Sequence, residues 1–108
     1  MSAPEVTNDV GSKLLFENEH VKIWDLCLAP GEALGMHRHQ SKYALIVIGD
    51  GTLRSVNEDG TTRFETDMAD GTVAYRDLDS QDVHDAVNVG DAPWRNIVVE
   101  FKDKPVPG

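Results

Sequence analysis

One cysteine, Cys27, is all the thiol this chain carries in 108 residues. A lone thiol cannot close an intrachain disulfide, and zinc sites of four cysteines or iron–sulfur clusters are excluded with it. Cys27 falls in a strand-like run, WDLCLAP, where a buried inert thiol is expected and a Cys–His nucleophile pair is not. Positive charge is scarce too: 10 Lys and Arg stand against 19 Asp and Glu, for a net charge of −9. Binding to DNA, RNA or an anionic membrane needs Lys and Arg to neutralise negative charge, so neither nucleic acid nor membrane is an expected partner. No apolar run approaches the ~18 residues of a membrane span. The opening MSAPEVTNDVGSK has neither the basic nor the apolar stretch of a leader, so a cytoplasmic location is expected. Missing as well are a G-x-S-x-G elbow, a glycine-rich phosphate loop opening a helix, and a helical H-E-x-x-H.

What is present is a strand period. Apolar residues come in short alternating runs broken by Gly, Asp and Asn, and no run suits a helix of three turns. Strands are expected at 13–16, 21–28, 33–39, 43–48, 52–57, 61–66, 72–76, 83–89 and 94–101. The hairpin signal Gly49-Asp50-Gly51 and the turns Glu58-Asp59-Gly60 and Gly90-Asp91-Ala92-Pro93 separate several of them. That spacing predicts one all-β domain, a sandwich or barrel, over residues 13–102. Residues 1–12 and 103–108 lack a pattern and are expected to be an N-terminal arm and a C-terminal tail, ordered by a partner subunit if at all.

Four histidines mark the chemistry: His20, His37, His39 and His84. His37 and His39 are two apart, so on a strand both imidazoles project from one face and can converge on one ion. A third ligand must come from another strand, and in VHDAVNV the residues His84, Ala86 and Asn88 share a face. Alternation alone leaves open which face is interior; the histidines are inferred to face in. His20, beside Glu19 in a turn region, reads as a surface imidazole. Arg38 alternates away from the pair, Asp85 away from His84, and Trp24 and Trp94 read as core or subunit-interface residues.

These residues resemble the cupins. The first cupin motif runs Gly, five residues, His-x-His, and PGEALGMHRH supplies Gly31, His37, Arg38 and His39. The second ends in His, three residues, Asn, and HDAVN supplies His84 and Asn88. The likeness extends from about Lys13 to Phe101, including the PGE turn and the NVGDAPW turn. More narrowly, the chain is similar to the small cupins known as β-alanine degradation proteins, whose first motif also reads H-R-H-x-x-x-Y.

The resemblance implies a double-stranded β-helix, or jelly-roll, barrel. It also implies a divalent transition metal held by His37, His39 and His84, with Fe(II) first and Ni, Zn, Mn or Cu as alternatives. Cupins usually place Glu four residues after the second histidine, and Tyr43 stands there instead. Three neutral imidazoles leave the metal its full charge, which favours a small anionic ligand and dioxygenase-like chemistry; isomerase or lyase chemistry is also compatible. Tyr43 and Asn88 are the candidate catalytic residues: the phenol could donate to a substrate oxygen, or Tyr43 could be a packing aromatic. Asn88 could bond backbone or substrate. Asp77, Asp79 and Gln81 replace the Pro and Gly of the second motif, so the acidic loop 77–82 reads as a solvated turn or as the source of a carboxylate ligand. The implied assembly is a homodimer paired through outer sheet faces. These departures keep a second reading open, a non-catalytic module for ligand or metal sensing, storage or dimerisation.

Overall fold

The computed structural model describes residues 5–108; residues 1–4 of the expected arm lie outside the described residues. Among the described residues nine strands form: β1 (Lys13–Glu17), β2 (Val21–Leu28), β3 (His37–His39), β4 (Ser41–Val47), β5 (Gly51–Asn57), β6 (Thr62–Met68), β7 (Val73–Arg76), β8 (Asp82–Asn88) and β9 (Trp94–Pro105). They make two antiparallel sheets, one in the order β1-β2-β9-β4-β7 and one in the order β3-β8-β5-β6. This is the double-stranded β-helix that the cupin resemblance implied. No helix among the described residues is long and apolar enough to cross a membrane.

Period-2 alternation explains which side chains fill the barrel. On β9, Trp94, Asn96, Val98 and Glu100 are buried, and Arg95, the residue between the first two, is exposed. Leu26, Leu28, Val47, Leu53, Ala86 and Trp94 pack as one buried cluster, and Val10, Trp24, Tyr43 and Val98 as another. Trp94 lies against the backbone of Gly51, where a Cβ would come within 2.6 Å of the indole. Glycine is therefore required there by close approach rather than by backbone conformation. The one buried carboxylate of β9, Glu100, accepts the indole N–H of Trp24 at 2.7 Å, and burial raises its pKa.

Three expectations need correction. The strand expected at 33–39 shrinks to His37–His39, with Ala33 making only an isolated bridge to Val87. Gly35, at φ 109°, breaks the ladder between them. Among the described residues, neither 5–12 nor 103–106 awaits a partner for order. Thr7 bridges His37 and accepts the Arg38 N–H at 2.8 Å, Val10 is fully buried, and β9 continues to Pro105 alongside Ser41. Cys27 is exposed rather than buried. Alternation on β2 turns Trp24, Leu26 and Leu28 inward and sends the thiol to the outer face, where it donates to Asp25.

The outer face of the five-stranded sheet is apolar in rows. Phe16, Ile23, Val99, Ala44 and Tyr75 stand in register across all five strands, and Ile97, Ile46 and Val73 form a parallel row. Val73 is 66% exposed and Phe16 51%.

Candidate metal centre

β3 and β8 are neighbours in the four-stranded sheet, and their register sets His37 directly opposite His84. His39 follows two residues along on the same face. The three rings meet with centroids 4.6 to 5.0 Å apart, and one nitrogen from each lies within 4.8 Å of the others. His37 and His39 are each 2% exposed, and His84 is half-buried. The inward orientation inferred from the sequence is therefore the one found.

Each tautomer can be read from its partner. His37 Nδ1–H donates to the Gly35 carbonyl at 2.8 Å, and His84 Nδ1–H donates to Asp82 at 2.7 Å. Both rings thus keep the Nε2 lone pair for a ligand, the arrangement by which metal-binding imidazoles are oriented. Nδ1 of His39 is buried and has no hydrogen-bond partner. Burial pushes the His37 imidazolium down to about 4 and that of His39 well below its ordinary value, so these two rings are neutral donors at neutral pH. Three converging imidazoles, two of them nearly sealed from water and one with an orphaned nitrogen, fit a divalent transition ion.

Behind His84 stands a chain the sequence did not reveal. Arg63 on β6 reaches across β5 to grip Asp82 with both guanidinium arms, at 2.9 and 3.0 Å, and its Nε–H donates to Asn57 at 2.7 Å. The His84 hydrogen bond, with Arg63 beside it, holds Asp82 well below the usual carboxylate range despite burial. Asp82 is therefore neither a loop residue in solvent nor a fourth ligand. It orients His84. On the other side, Asp85 accepts the N–H groups of Gly35 and Ala86 at 2.8 and 2.7 Å, fixing the bend whose carbonyl holds His37. Within the acidic loop, Asp77 pairs with Lys42 at the surface.

Tyr43 lies beside the cluster, its ring stacked on His39 with centroids 3.9 Å apart and planes 11° from parallel. Burial pushes the phenol up to about 12, so it is a neutral O–H at neutral pH. Asn88 has another task than the candidate one. Its amide donates to the Leu28 and Ala92 carbonyls at 3.0 and 2.8 Å and its oxygen accepts the Gly90 N–H at 2.9 Å. Four residues along β8 from His84, roughly 13 Å by strand rise, this fully buried amide ties the closed end of the barrel. A cavity of about 260 Å³ opens from His84 and Tyr43 into the barrel, floored by Leu45, Leu53 and Ala86.

A jelly-roll barrel with three inward histidines defines the class of fold. No protein-family model and no curated protein sequence matches the chain, so the likeness to known proteins is carried by structure. The chain is similar to a cupin domain of Bordetella pertussis, at 21% identity with a TM-score of 0.74, over 91% of this chain and 97% of that one. It is also similar to an RmlC-like cupin of Methanocaldococcus jannaschii, at 23% identity and a TM-score of 0.62, over 94% and 90%. A polyketide cyclase of Streptomyces resistomycificus matches at 17% identity and a TM-score of 0.57, over 82% of this chain and 58% of that one. The fold is that of a small single-domain cupin.

Proposed function

We propose that this cupin is a transition-metal-dependent enzyme, dioxygenase-like, acting on a small anionic metabolite inside the barrel. The observation that carries the reading is the convergence of His37, His39 and His84 as neutral imidazoles on one buried point. A divalent metal held by those rings would polarise a bound anion and, as Fe(II), supply the redox chemistry by which dioxygen reacts. The chain's own contribution is positional. Asp82 and the Gly35 carbonyl hold two rings in the metal-binding tautomer, Tyr43 presses flat on the third, and the apolar floor excludes water. The neutral phenol is the available proton donor at the site.

The test is dioxygen uptake by Fe(II)-loaded protein across small carboxylates, thiols and diketones. Turnover lost in His37→Ala supports the reading; uptake no faster than free Fe(II) with every compound contradicts it. The second reading, a non-catalytic ligand-binding module, is favoured by Tyr43 in the carboxylate position and by Asn88 being committed to backbone. Binding without turnover would select it. Asp82→Asn is expected to weaken metal affinity about 10- to 100-fold, because the substitution loosens the tautomer and orientation of His84 while leaving all three ligands present. Competition against a chromophoric chelator reads that change.

We infer a homodimer paired through the apolar rows of the five-stranded sheet, where Phe16, Val73 and Tyr75 stand exposed. Sedimentation at micromolar concentration should give twice the chain mass of 11.9 kDa, and Val73→Glu should give the monomer. A monomeric wild type would contradict this. The exposed free thiol of Cys27 fits a reducing, cytoplasmic setting.

A further inference from the structure

Two arginines, Arg63 and Arg76, line the 260 Å³ cavity beside the histidines, and they are not equivalent. Arg63 is neutralised: both of its terminal nitrogens bind the Asp82 carboxylate and its Nε–H is taken by Asn57. Arg76 sits opposite Tyr43 in the β4–β7 ladder, on the same face of β7 as half-buried Ala74, while Val73 and Tyr75 point out to the exposed surface. It has no carboxylate partner among the described residues, although acidic side chains are the commonest charged groups of the chain. A half-buried guanidinium at the wall of an apolar cavity, with the neighbouring Tyr43 phenol as a polar contact and no carboxylate, keeps most of its fork of donors free for a ligand.

The surroundings say what it would hold. With Arg63 and Asp82 cancelling as an ion pair, the protein charge facing the cavity beside His84 is the single positive charge of Arg76. One planar guanidinium matches one carboxylate with two parallel hydrogen bonds, whereas a phosphate dianion would leave a charge uncompensated in a low-dielectric space. Beyond Arg76 the walls are mostly apolar, with Leu45, Leu53, Phe64, Met68 and Leu78 among them and Ser55 the one hydroxyl besides Tyr43. At ~30 Å³ per water the cavity has room for roughly nine atoms of solvent size, so a short apolar chain fills it.

We propose that Arg76 is the carboxylate anchor of the barrel and that the ligand is a monocarboxylate with an apolar tail of about four to seven carbons. This deepens the proposed function and rests on the cavity beside His84 being the functional pocket. Arg76 selects and positions; it takes no part in holding the metal.

The experiment is a heteronuclear NMR titration of the metal-free protein with hexanoate, with hexan-1-ol and hexylammonium as controls. Hexanoate should shift resonances of the barrel interior and bind more tightly than either control. Arg76→Met should weaken hexanoate at least about 10-fold while leaving hexan-1-ol unchanged, the loss expected for one charge-assisted contact. Arg76→Lys, which keeps the charge but not the fork, should fall between the two and serves if the methionine variant does not fold. Equal hexanoate affinity in wild type and folded Arg76 variants, or no hexanoate binding by the wild type, overturns the proposal. Metal content measured on the same variants separates the two claims. Arg76→Met should load metal like wild type, so failure of the metal site and failure of the anchor appear in different measurements.

Discussion

Alanine at His37 is expected to lower the affinity for a first-row divalent metal by more than about 100-fold, beyond the range expected for groups that only orient a ligand. His37 is 2% exposed and supplies one of three converging nitrogens, so its removal leaves two imidazoles and space that water can enter. The metal-free protein should suffer much less. It loses one hydrogen bond and strands the Gly35 carbonyl, a cost of about 1–3 kcal/mol. The contrast between a large metal effect and a modest apo effect distinguishes a ligand from a core residue. His20→Ala is the control: that ring is exposed, bonded to Asp103 at the surface, and its loss should change neither quantity appreciably. Isothermal titration for metal and urea unfolding for the apo protein read the two effects separately.

Acid should begin to destabilise the metal-free barrel above the range in which most of its carboxylates protonate. His37 titrates near 4 in the folded state because burial opposes its charge, against 6.5 for an ordinary imidazole, and His39 lies further down. Below pH 6.5 the unfolded chain therefore binds protons that the folded chain refuses, and stability falls as pH drops toward 4. For His37 alone the full difference corresponds to about 3 kcal/mol, a large share of the stability of a domain this size. Asp82 acts in a lower window. Its carboxyl is held below the usual range, so its contribution persists through this span and is lost only as pH falls through and below the ordinary carboxylate value. Urea midpoints at pH 7 and pH 4.5 should differ clearly in wild type and less in His37→Ala. A flat profile between them would show that the rings are not sealed from water. Loaded protein should be more acid-sensitive still in metal content, because protons compete for the same lone pairs.

Much of this architecture was legible because strand period and histidine spacing are local. His37 and His39 share a face by being two residues apart, and the turns at Gly49, Gly60 and Gly90 separate runs that do become strands. The position of Cys27 was misread because an alternating strand needs one anchoring face, and VKIWDLCL offers hydrophobic residues on both; only pairing with β9 shows that Trp24 faces in. The strand expected at 33–39 failed because Gly35 bends the chain, a bend held by Asp85 from fifty positions away. Arg63 was invisible for the same reason of distance. It acts across β5, and nothing in TRFETDM distinguishes it from a surface arginine. Asp82 offered a fainter clue, since D-V-H puts a carboxylate and an imidazole on one face of a strand, the spacing of an oriented ligand. Asn88 shows the converse limit, since its motif position left backbone and substrate both open. A motif position was legible, but its buried amide is satisfied entirely by backbone.

X-ray absorption spectroscopy of protein loaded with one equivalent of Fe(II) or Ni(II) tests the central claim most directly. The account predicts one ion per chain with scattering from three imidazoles, falling to two or to loss of the ion in each of His37→Ala, His39→Ala and His84→Ala. An ion coordinated by oxygen alone, or a spectrum unchanged by all three substitutions, would contradict it.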